Sequence, residues 1–315
     1  MRFQIVCWFF YICSSFNKSM TYTKTSKIAT LSLSERVRCY AQLFKLRLTS
    51  FVVISAIFGY LIGAEVYNFP VILLLTLGGF LVTCSSNAFN QVIEKNYDKL
   101  MDRTRNRPLP LNKFGSAEAV WVASLFGFTG IIILWLINPL SGILGALAIF
   151  TYVALYTPLK RVSTISVFVG AFPGAIPPML GWVAATGSFS LEAGILFLIQ
   201  FIWQFPHFWA IAWKVNGQYT KAGFKMLPFG KKNSATAFII LMSTIALSCV
   251  SILPEYFGFA GKLTSFGLIL LSCLMIYPAV RLLQTKNDKF ALRVLLMSYL
   301  YLIVSLTLIL IDRFI

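Results

Sequence analysis

Long apolar runs recur along most of this 315-residue chain, and they restrict its fold more than any other feature. A helix needs about 20 apolar residues to cross the hydrocarbon core of a bilayer. Only 12% of the residues are charged and 58% are hydrophobic, which leaves too little polar surface for a water-soluble globule of this size. The sequence therefore predicts an all-α, polytopic integral membrane bundle of about nine transmembrane helices. The predicted spans are 50–64, 69–89, 119–137, 141–157, 165–185, 193–213, 236–254, 264–284 and 292–311.

The positions of the basic residues indicate how these spans are oriented. If the N-terminus is cytoplasmic, 25 of the 27 Lys and Arg residues lie on the cytoplasmic side, and only Lys262 and Arg313 do not. Cationic residues close to helix ends resist translocation and so set the topology. We therefore interpret the net charge of +17 as a topology signal and as an attraction to anionic lipid, and not as a sign of nucleic-acid binding.

Residues 1–49 precede the first predicted span, and we expect a cytoplasmic N-terminal segment there, followed by one membrane-embedded domain over 50–315. Residues 3–13 resemble the core of a signal peptide, but no small-residue cleavage site follows them. The stretch from Ser14 to Ser34 lacks periodicity, and Met20 is an alternative translation start. We expect this segment to be partly disordered.

The end of the second span is the strongest candidate for a functional site, because there the apolar run gives way to NAFNQVIEKNYDKLMDRTRNRPLP at residues 87–110. Mg²⁺ prefers carboxylate oxygens and is often shared with substrate phosphates. The alternative is a solvated helix end whose acids pair with neighbouring basic residues. Ionisable groups at the mouth of a membrane bundle are usually functional, which favours the metal site. The candidate ligands are four oxygen-bearing side chains that are four residues apart and therefore lie on one stripe of a helix: Asn90, Glu94, Asp98 and Asp102.

Three arginines, Arg103, Arg105 and Arg107, follow the acidic stripe. Guanidinium groups bind phosphate oxygens through paired hydrogen bonds, so the segment offers a metal side and a cationic side to a diphosphate group. Residues at spacing two cannot all face one way on a helix, so at most two of the three should contact the ligand. Pro108 and Pro110 then end the helix and begin a loop.

The same segment resembles the UbiA-type family of membrane prenyltransferases, and the resemblance extends over nearly all of the chain beyond residue 40. Asn90, Glu94 and Asp98 match the NxxxDxxxD motif of that family, and the longer segment is most similar to its heme-farnesylating branch. Five further motifs accompany this one in order and with matching spacing, and the set is far more specific than any single motif. The others are Lys45 and Arg47 in place of LxKPR, YTPLKR at 156–161, FPGAIPPMLGW at 172–182, WQFPHFWAIAW at 203–213 and AGFKMLP at 222–228.

The resemblance implies a central cavity within the bundle and a defined reaction. Members of this branch transfer a farnesyl group from farnesyl diphosphate to a vinyl group of heme B, with addition of water, to give heme O. It also implies one or two Mg²⁺ ions, heme B as a substrate, and heme A synthase or cytochrome oxidase assembly downstream. The implied metal ligands are Asn90, Glu94 and Asp98, with Asp102 as an outer or second-metal ligand. The implied contacts to diphosphate or heme propionate are Lys45, Arg47, Lys99, Arg103, Arg107, Lys160, Arg161, Gln218, Tyr219 and Lys221.

Elementary chemistry agrees with such a reaction. Cleavage of an allylic diphosphate develops negative charge on the leaving group, which a metal and cationic side chains stabilise. The allylic cation needs an apolar, aromatic-lined cavity that keeps water away. Lys160 and Arg161 are candidates for the anionic end, although a topology anchor explains them equally well.

The sequence departs from the family at the second acidic motif. Heme-farnesylating members usually have an Asp-Tyr pair before AGxxMLP, whereas this chain has Gln218 and Tyr219 in KVNGQYTKAGFKMLP. Either neutral amide oxygens and water hold a second metal there, or the loop lysines Lys214, Lys221 and Lys225 partly replace it. One-metal and two-metal arrangements both stay open.

His207, the only histidine, lies in the segment QFPHFW of the sixth predicted span. Such a residue is either hydrogen-bonded within the structure or a heme contact or axial ligand, and the family's PHF motif makes the two equally plausible. The Gly- and Pro-rich fifth span predicts a kinked, closely packed helix.

Other functions share parts of this pattern. A relative that prenylates a quinone precursor would keep Asn90 to Asp98 but lack the DRTRNRPLP and PHFWAIAW segments. A transporter would place charges near the midplane and show repeated halves, which the sequence lacks. A noncatalytic membrane assembly factor is a third alternative, and the missing second aspartate is the strongest argument for it, but the pattern as a whole favours the enzyme. The N-terminal segment lacks the character of an organellar transit peptide, so we expect a bacterial inner membrane.

Overall fold

A computed structural model of the chain describes residues 32–313, and helices are the only regular secondary structure in that range. Nine of them are long and apolar enough to cross a membrane, which confirms the predicted number for the described residues. The protein is therefore a multi-pass membrane protein. The spans are α2 (Leu46–Gly63), α3 (Phe69–Asp98), α4 (Ser116–Ile137), α5 (Pro139–Val162), α6 (Ser166–Thr186), α7 (Leu191–Lys214), α9 (Ser234–Tyr256), α10 (Lys262–Thr285) and α11 (Asp288–Asp312). Two short helices are α1 (Leu33–Leu43) and α8 (Asn216–Lys221).

Part of the N-terminal segment is ordered. Helix α1 begins at a capping box, in which the Ser32 side chain accepts a hydrogen bond from the Glu35 amide and the Glu35 carboxylate accepts one from the Ser32 amide. The predicted signal-like core at 3–13 and the alternative start Met20 lie outside the described residues. The expected partial disorder stays a prediction for residues 1–31.

Helix α3 is longer than the predicted span 69–89, because it continues to Asp98 and contains 30 residues. At 1.5 Å per residue it is about 45 Å long, more than the roughly 30 Å of a hydrocarbon core. Its last three turns therefore reach the membrane interface. These turns remain inside the bundle and bury polar side chains, namely Asn87, Asn90, Gln91, Glu94 and Asp98.

The fifth predicted span, α6, is packed closely against its neighbours, as expected. A methyl group added at Gly181 would lie 1.8 Å from the carbonyl oxygen of Ala56 in α2. A methyl group added at Gly59 of α2 would lie 2.0 Å from the carbonyl oxygen of Pro178. The backbones of α2 and α6 therefore touch, as small residues allow in membrane bundles.

Successive spans run in opposite directions, so the N-terminus of α2 and the C-terminal ends of α3, α5 and α7 lie at the same end of the bundle. Most of the basic residues in the part of the chain that the structure describes are at this end. The loops after α3 and α7 also start there, and side chains from all these elements meet in one cavity.

Candidate active site

The cavity brings together residues that are far apart in the sequence. Eight of the predicted site residues line it: Lys45, Asn90, Glu94, Asp98, Arg103, Arg107, Lys160 and Tyr219. The other lining residues are mostly aromatic or apolar: Leu48, Met101, Tyr152, Tyr156, Phe208, Ile211, Phe224 and Met226. The cavity thus combines a strongly charged part with an apolar, aromatic part.

Asn90 is held so that its amide oxygen faces a cation. Its Nδ2 donates to Thr157 Oγ1 at 3.1 Å, and Thr157 Oγ1 in turn donates to the Tyr152 carbonyl at 2.8 Å. This chain of hydrogen bonds fixes which end of the amide is the donor. The Asn90 oxygen then accepts from Lys45 Nζ at 3.1 Å.

Glu94 and Lys160 form an ion pair inside the bundle. Lys160 Nζ lies 2.7 Å from Glu94 Oε1, and the two side chains are only 11% and 7% exposed. The same ammonium group lies 4.4 Å from the centre of the Tyr156 ring, within the range of a cation–π interaction. Burial strengthens such charge-assisted hydrogen bonds. Removing one partner is then strongly destabilising, because the other charge stays buried and unpaired.

Asp98 forms the second ion pair, with Arg107 Nη1 2.7 Å from its Oδ2. Its side chain is fully buried, and its other oxygen, Oδ1, has no hydrogen-bond partner. A buried carboxylate oxygen without a partner calls for an explanation such as a bound ion. Asn90, Glu94 and Asp98 offer the oxygen ligands that Mg²⁺ prefers, so the residues present fit this metal.

Lys45 reaches the cavity from a sharp break between α1 and α2. Its backbone has φ 48° and ψ 54°, a left-handed conformation that is uncommon outside glycine and is often found at functional sites. The pKa of Lys45 is lowered to about 7, first because its ammonium group is buried. The positive charges of Arg107 and Lys160 act in the same direction, and the acids Glu94 and Asp98 oppose them.

Two amide side chains of α3 hold this break in place. Gln91 Nε2 donates to the carbonyl oxygens of Gln42 and Leu43, at 3.0 and 2.7 Å. Asn87 Nδ2 donates to the carbonyl oxygen of Phe44 at 3.3 Å. Carbonyl groups at a helix end need such partners, particularly away from water.

Helix α5 contributes two tyrosines from a π-helical segment, Thr151–Tyr156. Pro158 lies two residues after this segment, and because it has no N–H group the regular ladder of hydrogen bonds is interrupted there. The Tyr152 and Tyr156 rings lie 5.3 Å apart and form one wall of the cavity. π-Helical turns often occur at functional sites.

The loop after α8 folds over the cavity. Gly223 has φ 73°, a left-handed turn that suits glycine and directs Phe224 into the cavity wall. The next amide, Lys225 N–H, donates to the Lys160 carbonyl at 2.7 Å, which ties the loop to the end of α5. Gln218 Oε1 accepts from the Arg103 amide at 3.3 Å, which connects the loops after α3 and α7.

The predicted four-membered stripe is wrong at its last member. Helix α3 ends at Asp98, so Asp102 does not continue the stripe. Asp102 does not line the cavity, is 60% exposed and pairs with Arg105 at 3.2 Å. Of the three arginines, Arg103 and Arg107 line the cavity; their segment is not helical, and the expectation that at most two contact the ligand stays a prediction.

Several other predicted contacts also lie outside the cavity lining. Arg161 stacks on Tyr97, with its guanidinium carbon 4.1 Å from the ring centre. Gln218 reaches the site only through the Arg103 backbone. The remaining ones are exposed: Arg47, Lys99 and Lys221. The loop lysines Lys214, Lys221 and Lys225 are exposed as well, so the cationic side chains in the cavity come from other elements.

His207 is buried on α7 and does not line the cavity. Its Nδ1 lies 2.9 Å from Ser298 Oγ on α11, and its ring stacks on Trp203 with centres 4.6 Å apart. These contacts support the structural interpretation of this histidine.

The chain resembles known proteins over most of its length. The model of the UbiA prenyltransferase family matches residues 52–303. The protoheme IX farnesyltransferase of Christiangramia forsetii is 46% identical over 281 residues, covering 88% of this chain and 93% of that protein. That of Flavobacterium psychrophilum is 45% identical over 283 residues, covering 87% and 94%.

Solved structures share the fold. A digeranylgeranylglyceryl phosphate synthase superposes with a TM-score of 0.75 at 20% identity, covering 89% of this chain and 99% of that one. A UbiA homolog from Archaeoglobus fulgidus, bound to DMAPP and Mg²⁺, gives 0.55 at 15% identity, covering 86% and 98%. With the family match and the relatives, these findings establish that the chain belongs to the UbiA prenyltransferase family.

Proposed function

We propose that this protein transfers the farnesyl group of farnesyl diphosphate to a vinyl group of heme B, with addition of water, to give heme O. One observation carries the proposal: a membrane-interface cavity in which Asn90, Glu94 and Asp98 face four cationic side chains. Relatives 45 to 46% identical bear the name protoheme IX farnesyltransferase, which supports the choice of heme as acceptor.

The reaction breaks the bond between the allylic carbon and the diphosphate oxygen, and the leaving group takes the electron pair. The vinyl group then attacks the allylic cation, a water molecule adds to the resulting heme-side cation, and one proton is released. Lys45, Arg103, Arg107 and Lys160 lie where they would neutralise the departing diphosphate. The aromatic wall of Tyr152, Tyr156 and Phe224 would shield the cation from water, and the ring faces would stabilise it.

Asn90, Glu94 and Asp98 are the proposed metal ligands, and bound Mg²⁺ would supply further charge stabilisation to the leaving group. We propose a single ion. Within residues 32–313 no cluster of three or more His, Cys, Asp or Glu side chains is placed to hold a metal, so the carboxylate donors of the cavity are two. With four basic side chains present, one Mg²⁺ comes close to balancing a diphosphate, and a second would leave a large positive excess.

The ion number can be counted directly. We expect one Mn²⁺ per chain when the purified protein is titrated in the presence of a non-reactive farnesyl diphosphate analogue. Electron paramagnetic resonance measures the free Mn²⁺, and a titration without protein corrects for ion bound by the analogue. Two bound ions per chain would contradict the single-ion site.

The membrane and the downstream steps are also part of the proposal. We place the protein in a bacterial inner membrane, and the distribution of basic residues supports an orientation with the N-terminus and the cavity on the cytoplasmic side. Heme O would then pass to a heme A synthase or to cytochrome oxidase assembly.

Incubation of membranes containing the protein with heme B, farnesyl diphosphate and Mg²⁺ tests the reaction. We expect heme O by mass spectrometry, and its formation should stop when EDTA removes the metal and resume when Mg²⁺ is restored. Turnover of a quinone precursor without turnover of heme would instead indicate the related ring-prenylating function. An absence of both would favour an assembly factor.

A further inference from the structure

Each of the three proposed metal-binding side chains already holds a basic side chain through one of its oxygen atoms, and Asp98 Oδ1 is left without a partner. Lys160 Nζ lies 2.7 Å from Glu94 Oε1, Arg107 Nη1 lies 2.7 Å from Asp98 Oδ2, and Lys45 Nζ lies 3.1 Å from Asn90 Oδ1. The pairing is one to one. The groups that would bind a metal are thus bonded to the groups that would bind a diphosphate.

This arrangement makes it unfavourable for a metal ion to bind without a diphosphate. To use both oxygens of the Glu94 carboxylate it has to displace Lys160, whose side chain is only 11% exposed. The displaced ammonium group would remain inside the protein without a counter-charge, which is strongly unfavourable. The same holds for Arg107, whose side chain is 20% exposed.

Binding of a diphosphate without a metal ion is also unfavourable, because it leaves a carboxylate unpaired. If its oxygens draw Arg107 away from Asp98, a fully buried carboxylate loses the one ion-pair partner that it has among residues 32–313. When a metal and a diphosphate bind together, each acid gains the metal and each basic side chain gains a phosphate oxygen. No buried charge is then left unpaired.

We propose that the metal and the diphosphate enter this site by exchange of partners: Lys160 and Arg107 move from Glu94 and Asp98 to the diphosphate, and the vacated carboxylates take the divalent cation. This inference rests on the proposed function, because it assumes a diphosphate substrate. Lys160 and Arg107 therefore have two roles. They compete with the metal in the free protein and bind the diphosphate in the loaded protein.

The exchange predicts that one substitution raises the affinity for a metal alone and lowers the affinity for a diphosphate. Replacing Arg107 or Lys160 with methionine removes a competitor, so the affinity for a metal alone should rise by roughly tenfold, the factor expected for loss of one charge-assisted bond. The affinity for inorganic pyrophosphate should fall, because a ligand is lost. A residue that served only as a phosphate ligand would leave the affinity for the metal alone unchanged.

Arg103 supplies the matched control. It lines the same cavity and carries the same charge, but it forms no ion pair with Glu94 or Asp98 in the described residues. If partner exchange governs binding, Arg103→Met should change the affinity for a metal alone by less than about twofold. If general repulsion of the metal by nearby charge governs it, Arg103→Met should tighten binding as much as Arg107→Met.

The measurement uses Mn²⁺ alone, with free ion determined by electron paramagnetic resonance on the full-length protein in nanodiscs. Tighter Mn²⁺ binding by Arg107→Met and Lys160→Met, but not by Arg103→Met, supports the exchange. Unchanged affinity in Arg107→Met, or equal tightening in all three variants, overturns it. Lys160 is buried, and if Lys160→Met does not fold, Arg107→Met decides the question because its side chain lies at the edge of the site. Heme O formation by the unmodified protein reports separately on the proposed function.

Discussion

Replacing Asp98 with asparagine should lower the rate of heme O formation by about a hundredfold to a thousandfold, the range found when one preorganised electrostatic contact to a transition state is lost. The substitution keeps the shape of the side chain and removes its charge. It takes away a carboxylate that is fully buried and whose Oδ1 has no other partner. It should also weaken the dependence of the rate on Mg²⁺. Steady-state assays over a range of Mg²⁺ concentrations measure both effects.

The matched control is Asp102→Asn. Asp102 lies only four residues further on, but it is 60% exposed, pairs with Arg105 and does not line the cavity. Loss of an exposed ion pair has a small effect, so this variant should retain its rate within about threefold. Equal losses in both variants would mean that the acidic stripe continues beyond the end of α3 in the working enzyme. A fully active Asp98→Asn variant would remove the basis of the proposed metal site.

Replacing Gly181 with alanine should destabilise the protein by about 3 kcal/mol or more, because the contact between α2 and α6 leaves no room for a side chain. The added methyl carbon would lie 1.8 Å from the Ala56 carbonyl oxygen and 2.5 Å from the Tyr60 amide nitrogen. Both are backbone atoms, so relief requires the helices to separate. Thermal unfolding in detergent should show a clear loss of stability.

Gly194→Ala is the control for this change. Gly194 also lies in a membrane helix, α7, but nothing lies within 4 Å of an added methyl group there. Alanine is favoured over glycine within a helix by about 1 kcal/mol, so this variant should be as stable as the unmodified protein or slightly more so. Similar melting curves for the two variants would show that α2 and α6 are not held in backbone contact.

Much of this architecture could be predicted from the sequence, because bilayer thickness and charge placement leave few alternatives. The nine apolar runs fix nine spans, and the acids after the second run mark the site. The pairing of Glu94 with Lys160 could not be predicted, since it joins the ends of two helices that are 66 residues apart. Only the three-dimensional arrangement of the helix ends decides which basic residue reaches which acid.

Two features were missed although the sequence held a signal for each. Asn87 and Gln91 sit within a membrane helix, where buried amides need partners, and this could have indicated their bonds to the end of α1. Pro158 could have indicated the irregular turn that presents Tyr152 and Tyr156. The apolar span 69–89 stops where the sequence becomes polar, but helix α3 continues to Asp98 and ends well before Pro108, where the sequence predicts its end.

The bonds from Asn87 and Gln91 to the break before α2 have a practical consequence for engineering the N-terminus. Truncation ahead of Ser32 leaves these bonds intact. A shortened chain that starts at Leu46 would remove both carbonyl acceptors of Gln91, next to Asn90, and would leave Asn87 with Thr49 Oγ1 alone. Purification tags and fusion partners therefore belong upstream of Ser32. A minimal catalytic version of this protein has to include helix α1, although α1 does not span the membrane.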